Sequence, residues 1–169
     1  MTVTSERDQW KAGLEMIKAE QTVVIDRPIE EVFAYVTDQT NTPNWQAGLM
    51  EVKRTTAGPI GVGTKHTFVR NFIGRRMEAD NEYVAYELNR LVTFRTTSGP
   101  ALVASYLFDA VPDGTRLTSR VELQGAGLFG LLEPVIGAGL RREMKAALPA
   151  LKALLESRSA TTSPRPTAT

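Results

Sequence analysis

Residues 24–36 read VIDRPIEEVFAYV, and the change of period inside that stretch decides the fold. Thr22, Val23, Val24 and Ile25 form a β-branched run, the kind that strands favour. Asp26-Arg27-Pro28 stops it. Pro28 at the first helical position loses no hydrogen bond that a helix needs, and Glu30 and Glu31 complement the positive end of the helix dipole. Ile29, Val32, Phe33 and Val36 then fall on one helical face. A strand over 14–25 followed at once by a short amphipathic helix therefore opens the folded part of the chain.

Downstream, residues 38–43 are turn-rich, and 44–48 read as a second short helix carrying Trp45. Strands are expected over 49–56, 64–72, 75–87, 90–97, 101–111 and 115–123. Gly58-Pro59, Gly61-Val62-Gly63, Gly74, Ser98-Gly99-Pro100 and Pro112-Asp113-Gly114 punctuate them. Strands joined by such short turns form an antiparallel meander. From Leu131 the period becomes helical: Ile136, Leu140, Met144, Leu148, Leu151 and Leu155 lie on one stripe, with Arg141, Arg142, Lys145 and Lys152 elsewhere. Gly125, Gly127 and Gly130 suit a flexible approach to this helix, and Pro134 suits its first turn. Pro149 falls in its middle, where a kink is expected. Gly137 and Gly139 cost a helix about 1 kcal/mol each relative to Ala, which points to a packing reason for them.

These elements predict one α+β domain over 14–156: two short helices after the first strand, then a curved antiparallel sheet of about seven strands around a long C-terminal helix. Residues 1–13 read as an N-terminal arm. Residues 157–169, SRSATTSPRPTAT, bury too little apolar surface to offset ordering entropy and read as a disordered tail. A sheet with one apolar face must bury it, and only the long helix is large enough to cover it. A curved sheet around one helix encloses a space of the kind that apolar ligands occupy.

Composition narrows the function. The chain has 169 residues and a net charge of +1 with no basic block, so the electrostatic footprint of a nucleic-acid binder is missing. It has no cysteine, which excludes disulfides, thiolate nucleophiles and Cys-ligated zinc. Its single histidine, His66, excludes a multi-histidine metal site. No metal and no other cofactor is expected. The weakly polar stretch 128–140 is too short and too glycine-rich to span a bilayer. No apolar segment of signal-peptide type opens the chain, so a cytoplasmic location is expected.

The same residues resemble the START-related helix-grip superfamily, SRPBCC, and within it the polyketide cyclase/dehydrase and lipid-transport branch. Residues 24–36 look like its first strand and helix. Thr37-Asp38 with Pro43-Asn44-Trp45 looks like its second helix and the usual tryptophan. Gly61-Val62-Gly63-Thr64 resembles the glycine pair before the third strand, residues 111–118 the last hairpin, and residues 148–156 the end of the long helix. One departure is Glu87-Leu88-Asn89-Arg90-Leu91, where the family often has a Pro-Pro or Pro-Arg turn. The resemblance implies a helix-grip fold. It leaves three functions open: a carrier of a small hydrophobic ligand (a lipid or polyketide-like molecule), a cofactor-independent cyclase, aromatase or dehydratase acting by substrate positioning, or an interaction module with a collapsed cavity. No catalytic motif is present, and the binding protein is the first expectation.

Candidate residues follow from strand parity. Leu102, Ala104, Tyr106 and Phe108 share a face opposite Asp109, so that face is expected to look inward. Phe94 and Val92 form a similar pair. Glu78, Asp80 and Glu82 read as a solvated face, which turns Tyr83 inward. His66 shares a face with Phe68, Arg70 and Phe72. If that face is inward, His66 is a candidate general base or ligand contact and Arg70 a candidate for a ligand carboxylate or enolate; the plainer reading keeps both as ordinary strand residues. Tyr106 is the third candidate for acid/base work. Trp45 caps the cavity mouth or, more plainly, packs its helix on the sheet edge. Ile136, Leu140 and Met144 form the helix floor. The expected ligand-binding set is thus Trp45, His66, Phe68, Tyr83, Phe94, Ala104, Tyr106, Phe108, Ile136, Leu140 and Met144.

Overall fold

The β-branched run becomes strand β1 (Met16–Ile25), and the stretch after Pro28 becomes helix α1 (Ile29–Thr37). A 3-10 helix (Gln39–Asn44) leads to β2 (Leu49–Arg54), β3 (Lys65–Phe72), β4 (Arg75–Glu87), β5 (Leu91–Thr96), β6 (Leu102–Val111) and β7 (Gly114–Gln124). Helix α2 (Glu133–Ala160) ends the order. The computed structural model describes residues 16–72, 74–99, 101–124 and 133–160. The arm over 1–13, the glycines at 125, 127 and 130, and residues 161–169 lie outside them.

The strands form one antiparallel sheet in the order β1-β7-β6-β5-β4-β3-β2, curled into a half-barrel. The first strand pairs with the last, so β1 and β2 are the two edges. The helix-grip architecture expected from the sequence is the one observed. Ala147, Leu148, Leu151 and Leu155 of α2 are buried in one core with Val32, Phe33 and Val36 of α1 and with the inner face of the sheet. Phe33 meets Tyr86 and Phe108 edge to face, with ring centroids 5.3 and 4.9 Å apart, a favourable aromatic geometry.

The end of β1 is tied to the end of α2. Arg27 donates from Nε to the Leu155 carbonyl at 2.9 Å and from Nη2 to the Glu156 carbonyl at 2.7 Å. Both carbonyls lie near the C-terminal end of α2, so one side chain fastens the end of β1 to that stretch of the helix. Lys152 donates to the Val24 carbonyl and to Glu156, and that hydrogen bond, with one from the Asp26 amide, holds the Glu156 carboxyl below its usual range.

Several expectations are corrected in detail. Pro28 is the cap of α1 rather than its first helical residue. The second short helix is 3-10 and lies at Gln39–Asn44, earlier than expected; Trp45 follows it in a turn. Asp38 explains the shift, because its side chain accepts from Thr40 N and starts the helix there. Helix α2 reaches Ala160, so residues 157–160 are helical rather than tail. Gly139 is exposed, and a Cβ there would meet nothing within 4 Å, so packing does not explain this glycine. Where the family's proline turn is missing, Asn89 takes a left-handed conformation (φ 55°) and Arg90 N bonds to Glu87 O, closing the β4–β5 hairpin. Asn tolerates that region better than most residues.

Helix α2 is assigned continuously through Pro149. Proline has no N–H for the carbonyl four residues back, that of Lys145. Gln21 of β1 supplies the donor instead, its Nε2 bonding to Lys145 O at 3.0 Å. Gln21→Leu is therefore expected to cost about 1 kcal/mol. In a Pro149→Ala background the new amide reaches the same carbonyl, and most of that cost should vanish. A double-mutant cycle in urea reads the coupling; strictly additive costs would sink this account.

Candidate functional site

The inner face carries a row of rings across four neighbouring strands. Tyr106 (β6), Phe94 (β5), Tyr83 (β4) and His66 (β3) follow one another with centroids 6.3, 6.2 and 5.6 Å apart. Trp45 meets Tyr106 at one end, 6.2 Å away and edge-on. Phe68 lies 5.9 Å from Phe94. Ala104 and Phe108 are buried beside Tyr106, whereas Val103 and Asp109 are exposed. Glu78 and Asp80 are exposed and Glu82 half-buried, with Asn81 and Tyr83 buried on the opposite face. Met144 is half-buried on α2; the side chains of Ile136 and Leu140 lie outside the described set. The sheet thus gathers the eight sequence-picked residues from Trp45 to Phe108 on one apolar surface.

The polar tips on this surface differ in how they are satisfied. Tyr83 donates to the Thr37 carbonyl at 2.8 Å, and Tyr106 accepts from Gln46 Nε2 at 3.3 Å. Burial pushes both hydroxyls well above the usual tyrosine range, so both stay protonated. Trp45 Nε1, Gln39 Oε1, Arg54 Nε and both ring nitrogens of His66 are buried with no partner among the described groups. Such atoms are uncommon, and each costs on the order of 1–3 kcal/mol while unpaired.

His66 is 1% exposed. Burial is the main reason its pKa falls to about 4; Arg54 adds to the fall and Asp38 opposes it. At neutral pH the ring is uncharged. It can donate at one nitrogen and accept at the other, but a base this weak is poorly matched to proton abstraction near pH 7. Arg70 stands at the rim, with side chain and partner 35% and 23% exposed, and its Nη2 lies 3.1 Å from Glu143 Oε1 of α2. Its charge is already answered by a carboxylate.

Arg54, Gln39, Gln46 and Glu143 were not picked from the sequence. Arg54 was hidden by a bulge: register shifts between Leu49 and Glu51. Strict alternation from Leu49 puts Glu51 and Lys53 inward, but the bulge turns Val52 and Arg54 inward instead. The polar residues of 38–46 carry no periodic signal at all. Among the described residues, no group of three or more His, Asp or Glu side chains stands ready to hold a metal. No helix among them is long and apolar enough to cross a membrane.

A curled seven-stranded sheet with aromatic inner face, closed by a C-terminal helix, defines a helix-grip protein. The chain belongs to the polyketide cyclase/dehydrase and lipid transport family, whose profile matches residues 16–156. No curated protein matches its sequence significantly. Among solved structures it is similar to the protein TTHA0849 from Thermus thermophilus, with a TM-score of 0.70 and 17% identity over 86% of this chain and 99% of that one. It is also similar to the Zhui aromatase/cyclase from Streptomyces sp. R1128 (TM-score 0.72, 15% identity, 86% and 96% covered). A third likeness is the di-domain aromatase/cyclase BexL of the BE-7585A biosynthetic pathway (0.66, 16%, 82% of this chain and 49% of that one). At these identities the likeness is one of fold.

Proposed function

We propose that this protein binds a small, largely apolar molecule against the inner face of the sheet, under α2. The observation that carries the reading is the ring row from Trp45 to His66, flanked by buried polar atoms that lack partners. Apolar burial would supply affinity, and the few polar atoms orientation. Trp45, His66, Phe68, Tyr83, Phe94, Ala104, Tyr106 and Phe108 form the proposed wall, with Ile136, Leu140 and Met144 as the proposed helix side.

The test is a titration with the neutral dye N-phenyl-1-naphthylamine. Saturable, one-site fluorescence enhancement is expected, displaced by other neutral aromatics. A linear, unsaturable signal would remove the main support for a ligand site and favour a module that works through its surface.

A second reading, a cyclase that folds its substrate into a reactive shape, draws support from the two aromatase/cyclases among the structural neighbours. In that case Tyr106, kept protonated, and neutral His66 orient oxygen groups, and Arg70 waits on displacement of Glu143. The carrier reading is preferred because the buried acid/base groups are held far from neutral pKa values.

A further inference from the structure

We propose that Arg54 and His66 together receive a hydroxyl group of the bound molecule, making this end of the site selective for phenolic, enolic or alcoholic ligands over ethers and hydrocarbons. The inference rests on the ligand-site reading and adds the chemical group that is recognised.

Arg54 and His66 are directly opposed on β2 and β3 and therefore share a face, with Cβ atoms about 5 Å apart. His66 lies against Tyr83. The Tyr83 hydroxyl is bonded to Thr37 O, and the charge of the next residue, Asp38, is felt at both Tyr83 and His66. Arg54 Nη2 is held by the Gly58 carbonyl, which leaves its Nε, buried and unpartnered, on the guanidinium edge still free to donate. Two unpartnered groups therefore stand side by side here: a fixed donor, Arg54 Nε, and an imidazole that offers one donor and one acceptor.

The inventory selects the ligand group. A carboxylate only accepts; it would leave the imidazole acceptor unpaired, and the Asp38 charge felt at His66 and Tyr83 opposes its attraction to Arg54. An ammonium only donates and would meet Arg54. A ketone or ether only accepts. A hydroxyl accepts from Arg54 Nε and donates to the acceptor nitrogen of His66, so it satisfies both kinds of orphan with one oxygen.

His66 is the only histidine in the sequence, so its imidazole nitrogens give an unambiguous 15N NMR signal in the full-length protein. The probes are 2-naphthol and its methyl ether, 2-methoxynaphthalene, which differ only in the hydroxyl hydrogen and a methyl. The naphthol is expected to bind roughly tenfold or more tighter and to shift the His66 nitrogens where the ether does not. In Arg54→Met the preference between the two probes should collapse, and Arg54→Lys should restore part of it. If Arg54→Met does not fold, the wild-type NMR comparison decides alone. Equal affinities with no naphthol-specific shift at His66 would overturn the hydroxyl assignment and leave the apolar site standing. Failure of both probes to bind would overturn the site itself, and the assignment with it.

Discussion

Gly114→Ala is expected to lower stability by about 4 kcal/mol, the sum of a strained backbone and an overpacked contact. Gly114 has φ 120°, a conformation side chains rarely adopt. A Cβ there would intrude on the Ile25 carbonyl and lie 2.9 Å from both Arg27 N and Asp26 Cα. All three atoms are backbone, so no side chain can swing away. The neighbourhood cannot shift freely either. Thr115 pairs with Ile25 and bonds to the Arg27 carbonyl, and Arg27 in turn holds the Leu155 and Glu156 carbonyls of α2. The methyl therefore pushes on the joint between the last hairpin, the first strand and the long helix. Gly58→Ala is the control: its φ is also positive, but its Cβ would meet nothing within 4 Å. It should cost about 1 kcal/mol. Thermal unfolding followed by circular dichroism should show a drop of about 10 °C for Gly114→Ala. A drop no larger than that of Gly58→Ala would show that the joint is not tight.

The second large effect is on acid stability. In the unfolded chain His66 titrates near 6.5, and in the fold at about 4. Between those values the unfolded state binds a proton that the folded state rejects, so this group makes stability rise with pH. Its contribution is complete above about pH 6.5, falls through the window, and loses nothing more below about pH 4. The difference corresponds to about 3 kcal/mol. The charged and titratable groups in play are Arg54, which disfavours the imidazolium, Asp38, which favours it, and Tyr83, which stays neutral. Urea unfolding of wild type and His66→Gln from pH 7 to pH 4 should show wild type losing about 3 kcal/mol more than the variant. The imidazole resonance of the folded protein should titrate near pH 4. A midpoint near 6.5 would mean that water or a partner reaches the ring.

The legible part of this protein is what a local pattern encodes. The β-branched run before Pro28, the helical face of Ile29, Val32, Phe33 and Val36, and the leucine stripe of α2 each repeat a period that burial requires, so element type and order could be read directly. Parity placed Ala104, Tyr106 and Phe108 on the buried face and Glu78 and Asp80 on the exposed one, because β4 up to Tyr83 and all of β6 run without a bulge there.

Parity failed where the register slips. The bulge between Leu49 and Glu51 brought Arg54 inward, and the one between Tyr83 and Ala85 turned Tyr86 to the core against Phe33. A bulge is a property of two strands together, and neither strand's sequence announces it.

What the sequence alone determined, then, is the set of elements, the curved sheet around one helix and the apolar character of its inner face. What only the tertiary structure decided is which polar groups meet there. Gln21 reaches Lys145 across 124 positions and Arg70 reaches Glu143 across 73; His66 and Arg54 face each other because of a bulge. Hydrophobic burial is additive along a chain and leaves a periodic trace, whereas a hydrogen bond or an unpaired nitrogen depends on the position of one distant atom, which leaves none.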